Sequence, residues 1–176
     1  MNTIPPVTNS QEFTRMVALK KLQQRVKGGG SNFYWIAALS IINSIIALFG
    51  GGITFVIGLG ITQIIDGFAS AFAYEIPNAA IVIKGIGLLL NLLIAGLFAL
   101  FGVFAIKGQR WAFITGMILY GLDAILVLVF KDFLGFGFHL FFLWLLFSGL
   151  QALRQLQATL PPTVPDPAFP KDIRMD

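Results

Sequence analysis

The sequence predicts an all-α, polytopic membrane bundle of about five hydrophobic helices, making four or five crossings. It adds a basic N-terminal helix and a disordered proline-rich tail. Three observations carry this. Hydrophobic residues make up 57% of the chain and charged residues only 11%, far below the roughly 25% charged of a soluble domain. Between Ser31 and Leu153 the ionisable acids and bases reduce to Asp66, Glu75, Lys84, Lys107, Arg110, Asp123, Lys131 and Asp132. That interval holds several runs near the roughly 20 apolar residues a bilayer-spanning helix needs.

Residues 1–30 form a polar N-terminal segment. Pro5 and Pro6 make its start irregular, and Thr8 with Gln11, or Asn9 with Glu12, can cap a helix reaching about Lys27. Leu19, Leu22 and Val26 share one face there, while Phe13, Met16 and Val17 fall off it. Arg15, Lys20, Lys21, Arg25 and Lys27 cluster just before the first apolar run. They read either as contacts to anionic lipid beneath a surface-lying helix or as the solvated face of a short separate helix. Gly28-Gly29-Gly30 reads as a flexible joint ending it.

Residues 31–155 form the transmembrane domain. Its apolar segments run from Phe33 to Phe49, Ile53 to Ala73, about Ala79 to Ile106, Trp111 to Phe130, and Phe133 to about Leu153. The first begins well beyond the position of a cleavable signal's apolar core, so it is expected to stay as an anchor. Tyr34, Trp35, Tyr74 and Trp111 sit at segment ends, where amphipathic rings favour the headgroup level. Residues 156–176, rich in proline, read as an extended or disordered tail.

Counting segments and counting charge give different topologies. Five crossings would put the N-terminal bases on the side opposite Lys107, Arg110 and Arg154. An even number would gather all of them on one side, as the preference of bases for the cytoplasmic side demands. That requires the first two segments to make one net crossing, for example with one of them re-entrant.

The stretch Gly58-Leu59-Gly60-Ile61-Thr62-Gln63-Ile64-Ile65-Asp66-Gly67 places an acid deep in an apolar run. Asn43, Asp66, Asn91 and Asp123 all lie near the middles of their segments and are expected to meet at one depth. Gln63 stands three residues before Asp66 and Tyr120 three before Asp123, on shared helix faces. A carboxylate at the bilayer centre costs about 2.5–3.5 kcal/mol on insertion scales. These six residues therefore read as an interhelical hydrogen-bond network or, alternatively, as a proton or cation site. No lysine or arginine stands mid-span to neutralise either acid.

His139 is the sole histidine and lies among aromatics. It reads as an interfacial residue or, less favourably, as an axial ligand to a haem or chlorin metal. The chain has no cysteine, hence no thiolate chemistry or cysteine metal site. No GxSxG, HExxH or P-loop pattern is present, and Ser148 falls on the helix face opposite His139. Gly58, Gly60, Gly96 and Gly102 read as close-packing positions between helices.

The stretches Phe33-Tyr34-Trp35-Ile36-Ala37, Ser40-Ile41-Ile42-Asn43-Ser44, Gly58 to Gly67, and Lys107-Gly108-Gln109-Arg110-Trp111-Ala112-Phe113 resemble a set of small bacterial multi-pass proteins with no assigned activity. The resemblance covers Phe33 to Leu153, implies a bacterial inner or thylakoid-type membrane, and supplies no functional residue. The expected function is that of a non-enzymatic accessory or scaffold protein, without cofactor or metal, packing with another membrane protein or with itself in the lipid bilayer. Its net charge of +4 is accounted for without nucleic acid. The competing expectation is a proton- or cation-coupled small transporter or channel using Asp66 and Asp123.

Overall fold

The computed structural model describes residues 9–49 and 58–159. Residues 156–159 of the expected tail are instead the last turn of α5; the rest of the tail, Thr8, the Asn9 side chain, Gly50 to Gly52 and the first part of the second apolar segment lie outside the described residues. The chain forms α1 (Asn9–Leu48), α2 (Gly60–Glu75), a 3-10 turn (Pro77–Ala79), α3 (Ala80–Ile106), α4 (Arg110–Val129) and α5 (Phe133–Thr159). No strand occurs among the described residues. Four helical stretches are long and apolar enough to cross a membrane: Ser10–Leu48, Pro77–Ile106, Arg110–Val129 and Phe133–Thr159. The protein is a multi-pass helical membrane bundle.

Two expectations about the N-terminal region are corrected. Gly28-Gly29-Gly30 is no joint, because α1 runs unbroken through it. Glycine in a helix interior costs about 0.5–1 kcal/mol relative to alanine, and close contact offsets that here. A β-carbon on Gly29 would lie 2.5 Å from the Cα of Gly149 on α5, and one on Gly30 would lie 3.0 Å from the Ile106 backbone. Only bare backbone permits α1 to lie this close to α5 and to the end of α3. Nor does the basic half of α1 stand as a separate or surface-lying helix. At 1.5 Å per residue α1 is about 60 Å long, roughly twice the hydrocarbon thickness. Its first half continues outward beside the last turns of α5, with Val26, Leu150, Leu153 and Leu156 buried in the seam. The Arg25 guanidinium donates to Ser148 Oγ at 3.1 Å, and Arg15 donates to the Thr159 carbonyl at 3.5 Å.

The interior is aromatic. Phe33 on α1 is fully buried and meets Phe98, Phe101 and Phe113 at ring separations of 6.3, 6.0 and 6.2 Å. Gly102 and Gly116 leave room for Tyr34 and Phe33. Gly96, by contrast, faces open space and packs against nothing.

The α3–α4 turn closes on Gly108, in the left-handed region at φ 82°, where glycine carries no β-carbon penalty. That turn lies beside Gly30 of α1 and Gln157 of α5, whose amide donates to the Gly108 carbonyl at 3.4 Å. One end of the bundle thus collects Arg15, Lys20, Lys21, Arg25, Lys27, Lys107, Arg110 and Arg154, with Glu12 as the acid among them.

Helix α2 resolves the conflict between segment count and charge. It runs antiparallel to α3, with Thr62 and Asp66 at Asn91 and with Ala69 packed on Gly87. It ends where Pro77 disfavours helix at Ile76, at the end of the bundle where α3 starts. Ala47 and Leu48 of α1 share a cavity wall with Lys84 near that same end. The chain therefore leaves α1 and enters α3 on one side, and α2 makes no net crossing. Five hydrophobic helices and an even crossing number hold together.

Single cysteines at Ser10 and Gln109 should label from one side of the membrane, and those at Asn78 and Lys131 from the other. Ser10 labelling together with Asn78 and Lys131, opposite Gln109, would demand a fifth crossing and refute this topology. Gly149→Leu, which drives a side chain into Gly29, should destabilise by about 1–3 kcal/mol or more, read as a lowered melting midpoint in detergent.

Candidate functional site

Helix α2 begins inside the bundle. Leu59 precedes it in an extended conformation (φ −90°, ψ 125°), and no side chain of its own caps it. The first N–H groups of a helix have no partner within it, and in hydrocarbon each orphan costs several kcal/mol. Neighbouring helices supply the acceptors. Asp123 on α4 takes the Gly60 N–H on Oδ2 at 2.7 Å and the Ile61 N–H on Oδ1 at 2.8 Å. Ser40 Oγ on α1 accepts the Leu59 N–H at 2.8 Å and donates to the Ile36 carbonyl at 2.8 Å. Thr62 Oγ1 donates to the Leu59 carbonyl at 2.7 Å. Gly60 has no side chain because a β-carbon there would strike Val127, so the carboxylate reaches the backbone directly.

Asp123 has a second partner, His139 on α5, with Nε2 and Oδ2 2.9 Å apart. His139 Nδ1 lies 2.7 Å from the Gly135 carbonyl, which only accepts, so Nδ1 carries a hydrogen and donates it. The Nε2–Oδ2 separation is that of a hydrogen bond. Gly135 is itself held by Asp132 Oδ1, which accepts its N–H at 2.8 Å. The Tyr120 ring stacks on His139 at 4.6 Å, and the Tyr120 hydroxyl is buried with no hydrogen-bond partner. Both ring nitrogens of His139 are committed and one ring face is covered, so as placed it offers no nitrogen for an axial metal bond.

A second cluster lies on the other side of α2. Asn91 Nδ2 on α3 stands 2.7 Å from Asp66 Oδ1, 2.8 Å from Ser44 Oγ on α1 and 3.3 Å from the Thr62 carbonyl. Ser44 also hydrogen-bonds the Asp66 carboxyl. Asn91 Oδ1 is buried without a partner, although Asn91 is only 1% exposed. Beyond Asp66, a cavity of about 10 Å³, room for one water, is bordered by Ser44, Asp66, Ser70 and Lys84.

Of the six sequence-predicted residues, Asp66 and Asn91 bond directly, and Asp123 and Tyr120 gather around His139. Asn43 is buried beside Gly58. Gln63 does not join Asp66; it lines a cavity of about 220 Å³ with Gly60, Ile64, Phe130 and Asp132. The two acids occupy separate clusters joined through the first turns of α2. The partner of Asp123 is His139, and Lys84, near the start of α3, borders the cavity at Asp66.

Sequence reasoning did not pick out Ser40, Ser44 and Thr62. The first two flank Asn43 at helical spacing and form a polar stripe on an apolar helix, a signal that was available. The His139–Asp123 pairing was also legible. The two residues stand nearly equal distances from the Lys131-Asp132 turn, which sets them level in an antiparallel hairpin. The bases Arg15, Lys20, Lys21, Arg25 and Lys27 are all exposed on the projecting half of α1.

No protein-family model matches the chain, and no curated protein or solved structure proves similar to it.

Leaving a buried polar partner unsatisfied costs about 1–3 kcal/mol, more where it is charged, and Asp123 also holds two helix N–H groups. Asp123→Ala should therefore lower the melting midpoint far more than Asp66→Ala, and His139→Ala should fall near Asp123→Ala. Equal, small losses in all three would contradict this division.

Proposed function

We propose that this protein takes up a proton or another monovalent cation inside the membrane, with Asp66 as the acceptor, as a small transporter or channel. One observation carries the reading. Asp123 has its oxygens engaged by Gly60, Ile61 and His139, whereas Asp66 borders a cavity and faces an amide whose own oxygen is unpartnered. An intramembrane acid with spare coordination is expensive and marks an ion or proton path by default. Its support on a helix that starts within the bundle is the arrangement that ion-handling membrane proteins use, since broken helices present backbone groups at depth. By the preference of bases for the cytoplasmic side, the end carrying Arg15 through Lys27, Lys107, Arg110 and Arg154 faces the cytoplasm. The resemblance noted in the sequence favours a bacterial inner or thylakoid-type membrane.

A second reading, an accessory or scaffold protein, draws on a different observation. Phe13, Met16 and Val17 are each more than half exposed on the part of α1 that projects beyond the α3–α4 turn by roughly 20 Å or more. Apolar side chains standing that far out of the bilayer fit contact with another protein.

In proteoliposomes, wild-type protein should carry proton or alkali-cation flux that Asp66→Asn reduces at least tenfold while remaining monodisperse in detergent. Flux in Asp66→Asn equal to wild type would remove the transport reading. A stoichiometric membrane partner recovered in mild detergent, and lost in Phe13→Glu with Met16→Glu, would favour the accessory reading instead.

A further inference from the structure

We infer that the cavity of about 220 Å³ between α2 and the end of α4 is a binding site for a small protonated amine with an apolar body, held by Asp132. Its wall shares no residue with the cavity at Asp66, so the site stands or falls apart from the transport reading. Size selects the class first. The volume far exceeds the roughly 10–15 Å³ that one water needs. It falls below the roughly 300–1,000 Å³ of sites for drug-sized ligands. A molecule of benzylamine's size fits between these limits.

The wall divides into two chemistries. Ile64 on α2 and Leu126, Val127 and Phe130 beside it supply apolar surface, while Gln63 and Asp132 are the polar side chains. Gln63 stands in the first turn of α2, and its amide makes no hydrogen bond among the described residues. An amide in a membrane segment gains from any partner the cavity brings it. Asp132 sets the charge. Its Oδ1 accepts the Gly135 N–H at 2.8 Å, which leaves acceptor capacity on the carboxylate. No lysine, arginine or histidine pairs with it among the described residues, and no basic side chain borders the cavity. The wall therefore favours a cation. A bare metal ion is poorly served, since calcium takes about 6–8 oxygens and two polar side chains offer too few. An organic ammonium suits both parts, its charge at Asp132 and its body on the apolar residues.

Gly60 is also part of the wall, and its N–H is the one that Asp123 accepts on Oδ2 at 2.7 Å. Asp132 lies between α4 and α5, at the end of the bundle away from the basic cluster. A bound amine thus packs between that turn and the first turn of α2, and it braces the helix where it begins.

The test is thermal unfolding of purified full-length protein in detergent at about pH 7, where an alkylamine is protonated as lysine is. Benzylammonium chloride is titrated in, and in parallel benzyl alcohol, a neutral molecule of equal size. Benzylammonium should raise the wild-type midpoint saturably, by roughly 3–6 °C at a tenfold excess over its Kd, and benzyl alcohol should not. Asp132→Asn keeps an oxygen for the Gly135 N–H but removes the charge, and should weaken benzylammonium at least tenfold. Ile64→Trp, which fills the cavity, should abolish the shift. If Asp132→Asn does not fold, Ile64→Trp and the alcohol comparison decide. No saturable shift, an equal shift from benzyl alcohol, or an undiminished shift in either variant, as partitioning into the micelle alone would give, overturns the inference.

Discussion

The fold depends on one contact above the rest, the carboxylate of Asp123 against the open end of α2. A helix cannot begin in hydrocarbon without acceptors for its first N–H groups, and Asp123 accepts two of them while Ser40 accepts that of Leu59. The start of a helix carries roughly half a positive charge, so the carboxylate gains from the helix as the helix gains from it. His139 completes the arrangement from the far side. Much of the neighbouring sequence follows. Gly60 must lack a side chain, Gly135 must present its carbonyl to His139, and the α4–α5 turn must keep Asp123 and His139 level. Removing the acid would leave both a helix end and an imidazole without a partner.

The same contact explains how a chain with five hydrophobic segments makes four crossings. Because α2 can be terminated within the bundle, it returns to the end from which the chain came. Every basic cluster is then free to lie at the opposite end. Helix α1 is held in register with this scheme by backbone contact, Gly29 on Gly149 and Gly30 at Ile106. Between helices in lipid there is little hydrophobic driving force, and close van der Waals approach of small residues takes its place. Three consecutive glycines lower helix propensity. Here the contacts they allow outweigh that loss, and the helix continues.

What the sequence made legible was set by amount and by periodicity. The helical class and the limits of α3, α4 and the start of α5 follow from apolar runs closed by Lys107-Gly108-Gln109-Arg110 and by Lys131-Asp132, and the structure places them within a residue or so. Asp66, Asn91, Asp123 and Tyr120 were recognisable because polar groups are scarce in such runs. The failures have a common physical cause. Gly28-Gly29-Gly30 signals a joint by local propensity, and only the partner helix makes it a packing surface. The segment holding α2 has the composition of a full span, and the helix start at Gly60, inside the bundle, is supported by an acceptor distant in sequence. In each case a tertiary contact overrode a local preference.

The two intramembrane acids are bonded to different kinds of partner. A carboxylate that must cap a helix cannot also release and bind an ion freely, because each loss of charge would loosen the helix. Asp123 is therefore fully bonded, to two backbone N–H groups and an imidazole, with no oxygen turned to a cavity by itself. Asp66 bonds only to side chains, Asn91 and Ser44, which can rotate without breaking backbone structure. It also lies farther along α2, between the held end and Glu75. Its bonds therefore fall on the middle of a helix whose start Asp123 holds. One acid is tied to backbone at a helix end, the other to side chains alone.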